Sequence, residues 1–196
     1  MSNIRLNPLN DFLFMKMMGE KGDEEQLLSF LNAVLKQSGA DKLASVEIIE
    51  DKTFHAEVIG DKTCILDLRA RTSDGVRVNV EVQLRNLGNM DKRSLFYVSR
   101  EYASAIEAGQ DYSKLPRVIA INIVDFEFIP KETIADFHTT FHLWEDRHKD
   151  FMLTDAFEIH FIDMPKFRKL AEKDIQTNSL HRWLTFFDQR TPEETL

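Results

Sequence analysis

From Val76 to Arg85 every second residue is aliphatic: Val76, Val78, Val80, Val82 and Leu84 alternate with Arg77, Asn79, Glu81, Gln83 and Arg85. A period of two belongs to a β-strand with one face in a core and the other polar. Just upstream, Cys64, Leu66, Leu68 and Ala70 alternate with Ile65, Asp67, Arg69 and Arg71, and Thr72-Ser73-Asp74-Gly75 separates the two runs. Thr63 to Arg71 and Val76 to Arg85 therefore predict a β-hairpin. Matching the faces sets its register. A two-residue loop at Asp74-Gly75 pairs Ser73 with Val76 and puts Asp67 across from Val82. A three-residue loop, Ser73-Asp74-Gly75, pairs Thr72 with Val76, aligns aliphatic with aliphatic and puts Asp67 across from Glu81.

The rest of the chain supplies helices and further strands around this hairpin. Asn10 or Asp11 can cap a short helix through Met18, with Gly19 ending it. Leu27, Leu28, Leu31, Val34 and Leu35 recur at helical steps within Asp23 to Gln37, and Ser38-Gly39 stops that run. Ser45 to Glu50 is a candidate strand. A long helix fits Asp91 to Ala108, ending at Gly109. Arg117 to Val124 is apolar enough for a strand buried on both faces. Phe137 to Leu143 and Ala156 to Ile162 alternate as strands do, and Lys166 to Glu172 and Ser179 to Phe187 are helical in pattern. This order predicts an α/β (α+β) domain on a mixed sheet. Residues 1–190 form one expected domain, and 191–196 a polar tail.

Composition narrows the class. Of 196 residues 43% are hydrophobic and 30% charged, enough for a packed core without staples. The single cysteine, Cys64, lies in an apolar run and reads as core, so a disulfide framework is excluded and a reducing cytoplasm is expected. No apolar run approaches the roughly 18 residues of a membrane span, so no membrane partner is expected. A net charge of −8 argues against coating nucleic acid through bulk charge. It leaves room for a local basic patch.

Two carboxylates opposite one another on a hairpin repel unless a cation lies between them, and their hard oxygens suit Mg²⁺ or Mn²⁺. Such an ion polarises a phosphate and acidifies a bound water, the apparatus of phosphodiester hydrolysis. Arg69, Arg71, Arg77 and Arg85 share that face. Arg93, Tyr97 and Arg100 form a stripe on the following helix. With Arg69 and Arg71, that stripe is the candidate DNA-binding set. A solvated strand face and an ordinary helix surface fit the same residues.

Leu66-Asp67-Leu68, the Asp74-Gly75 turn and Val80-Glu81-Val82-Gln83 resemble the PD-(D/E)XK nuclease core in an Asp…Glu-x-Gln form. Asn10 to Lys16, Leu31 to Leu35, Arg93 to Tyr97, Gly109 to Tyr112, Pro116 to Ile119, Ile159 to Asp163 and Lys166-Phe167 resemble, in order, the recombination-promoting nucleases of bacteria known as Rpn. The resemblance implies a restriction-endonuclease-like fold and Mg²⁺-dependent DNA cleavage leaving a 5′-phosphate and a 3′-hydroxyl, with a link to recombination or mobile elements. It implies Asp67 and Glu81 as metal ligands with the Val82 carbonyl as a third, and Asp11 at the edge of the site. Gln83 stands where the motif has Lys; it can orient water by hydrogen bonds but brings no charge. Many nucleases cut duplex DNA as pairs, so a homodimer is expected. Family members are often longer, which implies a short member or a fragment. A catalytically weak or inactive nuclease-like module acting in dimerisation or regulation is the alternative. A transposase with an acidic triad on an RNase H-like fold ranks below both. His138 and His142 have the spacing of helical metal pairs but lie in a strand-like segment, so surface or packing roles are expected. Trp144 and Trp183 read as core or interface anchors.

Overall fold

The computed structural model describes residues 6–22, 24–37, 42–49, 68–192 and 195. Cys64, Asp67 and the Ser38-Gly39 stop lie outside them, as does the Thr63 end of the first hairpin strand.

Helix α1 spans Asp11–Met18 and α2 Glu25–Gln37. Asn10, not Asp11, caps α1, accepting a hydrogen bond from the Phe12 amide at 3.2 Å. Leu27, Phe30, Leu31, Val34 and Leu35 give α2 one fully buried face. Six strands follow among the described residues: β1 Val46–Ile48, β2 Leu68–Thr72, β3 Arg77–Gln83, β4 Val118–Val124, β5 His138–Trp144 and β6 Met152–Asp163. Helix α3, Met90–Ala103, connects β3 to β4, and α4, Met164–Arg168, and α5, Ser179–Phe187, follow β6.

The sheet order is β1-β2-β3-β4-β6-β5. The β3–β4 and β4–β6 pairs are parallel and the other three antiparallel, which makes the sheet mixed. In the hairpin Leu68 pairs with Val80, Ala70 with Val78 and Arg71 with Arg77. That is the register of the three-residue loop. Gly75 takes a positive φ of 89°, which a residue without Cβ adopts freely, and its amide bonds the Thr72 carbonyl at 3.0 Å. The Thr72 hydroxyl also accepts from the Val76 amide at 3.0 Å, tying the loop to the strand that follows.

The alternation sorts two chemistries onto two faces. Leu68, Ala70, Val78, Val80, Ile119, Ile121, Ile123 and Ile162 pack with α1, α2, α4 and α5 in the main core. The other face, with Arg69, Asn79, Glu81 and Asn122, lies under α3. There Val98 packs with Val118 and Ala120, and Met90 with Val124 and Phe161. The molecule is a three-layer α/β/α stack centred on β3 and β4.

Several element boundaries differ from expectation: β6 begins at Met152, not Ala156, and two helices end elsewhere. Helix α3 ends at Ala103, not Ala108, because the Ser104 hydroxyl turns back to the Glu101 carbonyl at 3.0 Å and also takes a bond from Arg77 at 3.1 Å. Helix α4 covers Met164–Arg168, not Lys166 to Glu172. Asp163 caps it through the Lys166 amide at 2.9 Å, and Pro165 stands in its first turn.

Candidate active site

Helix α3 buries Met90, Ser94, Tyr97, Val98 and Glu101, a stripe in which apolar and polar side chains alternate along one face. The polar members answer polar groups on the strands beneath. The Asn122 amide donates to the Ser94 hydroxyl and to the His160 carbonyl, both at 2.9 Å. Glu101, 3% exposed, takes Arg69 on one oxygen and Arg77 on the other at 2.5 and 3.0 Å. These bonds fix the height and rotation of α3 over the sheet.

Asn122 is the register partner of Glu81 across β3 and β4. Glu81 is 1% exposed, and the Arg93 guanidinium donates to its Oε1 at 2.5 Å. Arg93 also bonds the Tyr97 hydroxyl at 3.1 Å and lies 5.1 Å from the centre of its ring. Glu81 Oε2 is buried with no hydrogen-bond partner, as is Asn79 Oδ1 on the same face. Burial raises the Glu81 carboxyl above its ordinary 4.5, with the Arg93 charge and hydrogen bond acting in the opposite direction. A buried carboxylate with one oxygen unanswered is a hard donor suited to a divalent cation.

The other anticipated residues fall into three groups. Gln83 shares the Glu81 face by alternation, its amide held at 3.1 Å on the Arg85 carbonyl. The Gln83 carbonyl accepts from Asp125 at 3.0 Å on the β4 side, so the preceding carbonyl, Val82, points to the β2 side. Arg93 reaches Glu81 and Tyr97 holds Arg93, a stripe facing inward; Tyr97 is 6% exposed, and Arg100 is half-buried one turn further on. Arg69 and Arg71 separate. Arg69 is 5% exposed and locked to Glu101, so it anchors α3. Arg71 is exposed and pairs with Glu47 at 3.2 Å. Asp11 is exposed in the first turn of α1, in the layer across the sheet from α3. Asp67 lies outside the described residues; the last described hairpin pair, Leu68 with Val80, stops one step short of it. Among the described residues no three His, Cys, Asp or Glu side chains are grouped to hold a metal ion.

Sequence reasoning missed Glu101, Ser94, Asn79 and Asn122. A signal for Glu101 was present. It continues the buried stripe of α3 by one turn, where a carboxylate demands a cationic partner from the strands.

On the opposite face a second polar group links β4, β5 and β6. His138 Nε2 lies 2.9 Å from His160 Nδ1, His160 Nε2 lies 2.7 Å from Glu158 Oε1, and Arg117 pairs with the other Glu158 oxygen. His138 is in strand β5, as expected from its alternation, and stacks on the His160 ring. Trp183 packs against Phe30 and Phe187 in the core, whereas Trp144 is 44% exposed. A cavity of about 530 Å³ lies beside Trp183 between α2 and α5, in the layer across the sheet from Glu81. No described helix is long and apolar enough to cross a membrane.

No curated protein matches the chain. The sequence pattern of a nuclease family does, over residues 8–196, which takes in every strand of the mixed sheet and the Glu-x-Gln strand under α3. The fold is that of the restriction-endonuclease-like nucleases, and the chain belongs to the PD-(D/E)XK nuclease family transposases.

Proposed function

We propose that the chain is a Mg²⁺- or Mn²⁺-dependent DNA endonuclease acting in recombination or on mobile elements in the cytoplasm. The observation that carries this reading is Glu81: a buried carboxylate on the family's motif strand with one oxygen on a guanidinium and the other unpartnered. Asp67 and Glu81, with the Val82 carbonyl, would hold the cation. When bound, it would polarise the scissile phosphate and acidify a water. Gln83 would orient the attacking water by hydrogen bonds, and Arg93 and Arg100 would offset phosphate charge. The water oxygen would bond to phosphorus and give up a proton, the bond from phosphorus to the 3′ oxygen would break and that oxygen would take up a proton, leaving a 5′-phosphate and a 3′-hydroxyl. Asp11, exposed at the start of α1 in the layer across the sheet from α3, would take part only from the edge of the sheet.

Cleavage of supercoiled plasmid with Mg²⁺ or Mn²⁺ tests this. Asp67→Ala and Glu81→Ala should each remove cleavage while the circular-dichroism spectrum is unchanged. Wild-type activity in both variants would overturn the assignment.

One observation favours the alternative, a nuclease-like module that regulates or dimerises. Arg69 and Arg77, two of the four face arginines, are consumed by Glu101, and the net charge is −8. A protein with no divalent-ion binding and no cleavage would be that module. A second copy of the chain is the proposed protein partner under either reading. Phe141, Leu143 and Trp144 on edge strand β5, with Phe151 and Leu153 beside them, leave an apolar row exposed. Light scattering should give twice the chain mass.

A further inference from the structure

We propose that Arg93 is a latch on the site. Its guanidinium holds a cation's place against Glu81, yields it when a divalent cation enters, and then meets the substrate phosphate. This rests on the proposed metal-dependent function and goes on to assign the residue that controls entry.

Burial orders the three groups from inside to outside. Glu81 is 1% exposed and Arg93 16% exposed, so the guanidinium stands between the carboxylate and solvent. Its Nε takes Glu81 Oε1 and its Nη2 takes the Tyr97 hydroxyl, while Glu81 Oε2 has no hydrogen-bond partner. A structural ion pair at this depth would be expected to use both carboxylate oxygens in the two-pronged contact that Arg geometry favours. Glu101, in the same helix, has both of its oxygens engaged, one by Arg69 and the other by Arg77. At Glu81 the contact is single, so the carboxylate keeps half its donor capacity. A divalent cation and a guanidinium on one carboxylate repel each other, and the exposed partner is the one that can leave. Tyr97, one turn along, holds the guanidinium by a hydrogen bond and by its ring, giving it an anchor that does not depend on Glu81. Once displaced, Arg93 remains beside the site as a planar donor suited to a phosphate.

The test measures binding of Mn²⁺ alone, without DNA, by electron paramagnetic resonance. If the latched form is about nine-tenths populated, Arg93→Met should bind Mn²⁺ about tenfold more tightly than wild type. Arg93→Lys should gain less. Adding Glu81→Gln to Arg93→Met should remove the gain. Plasmid cleavage by Arg93→Met at saturating Mn²⁺ should fall, since the phosphate partner is gone. If wild type binds Mn²⁺ and Arg93→Met binds it no more tightly, the latch is overturned and the metal-dependent function stands. If neither binds Mn²⁺, the metal-dependent function falls and the latch with it. A wild-type measurement covers variants that fail to fold. Solvent exchange of the Arg93 Nε–H, slow in the metal-free chain, should speed up on saturation with Mg²⁺. Protection that persists at saturation overturns the latch.

Discussion

Glu101, on α3, carries Arg69 on one carboxylate oxygen and Arg77 on the other, both from the strands beneath the helix. Removing a buried partner from such a group leaves charge behind in a medium that solvates it poorly. Glu101→Ala should therefore cost about 3–5 kcal/mol, read as a lowered midpoint in urea unfolding. Glu81 is as buried but answers to a different balance. Burial raises its carboxyl above 4.5 despite Arg93, so the folded chain holds that proton more tightly than the unfolded chain does. The stability it contributes is full below 4.5 and is lost as pH rises through the raised folded value. Glu81→Gln should accordingly raise metal-free stability at neutral pH by about 1 kcal/mol while abolishing cleavage. Loss of stability in Glu81→Gln comparable to that in Glu101→Ala would show Glu81 to be a structural anchor.

At the level of elements, the hairpin turn concentrates its strain in one residue. Gly75 has φ 89°, and a Cβ built there meets nothing within 4 Å. Gly75→Ala therefore carries only the backbone cost of a left-handed conformation, about 1–2 kcal/mol, and should lower the urea midpoint without shifting the register. The hairpin was legible because its alternation is strict and only one loop length matches aliphatic faces. Helix α5 was legible to the residue, since a run bounded by Asn178 and Asp188 with Leu180, Leu184 and Phe187 inward has one solution. The end of α3 was not legible. Ser104 to Ala108 contains ordinary helix formers, and what stops the helix is a bond from Arg77, far away in sequence. The site divided along the same line. Glu81 and Gln83 follow from local alternation. The removal of Arg69 to Glu101 and the inward turn of Arg93 and Tyr97 depend on how α3 crosses the sheet, which no local pattern encodes.

Over the whole molecule, pH acts through the group that ties β5 and β6 to β4, on the face of the sheet away from Glu81. Burial and the neighbouring His160 lower the His138 imidazole from 6.5 to about 4, against the pull of Glu158. Burial raises Glu158, but the bond and charge of His160 and the charge of Arg117 outweigh it and hold the carboxyl at about 2. Both folded values lie below the unfolded ones, so both groups favour the fold at neutral pH and lose that effect on acidification. For His138 the loss runs from 6.5 down to about 4, as the unfolded chain gains a proton that the folded chain refuses. For Glu158 it runs from 4.5 down to about 2. The melting temperature should therefore fall in two overlapping stages as pH drops, each stage worth on the order of a few kcal/mol. His138→Phe, which stays uncharged and keeps an aromatic ring against His160, should flatten the upper stage and leave the lower one. Glu158→Gln should flatten the lower stage and also reduce stability at neutral pH, because Arg117 loses its charged acceptor. Calorimetric scans of the three proteins across the acid range separate the two groups. An upper stage unchanged in His138→Phe would mean that His138 is not kept neutral by the fold and that the acid sensitivity arises elsewhere in the molecule.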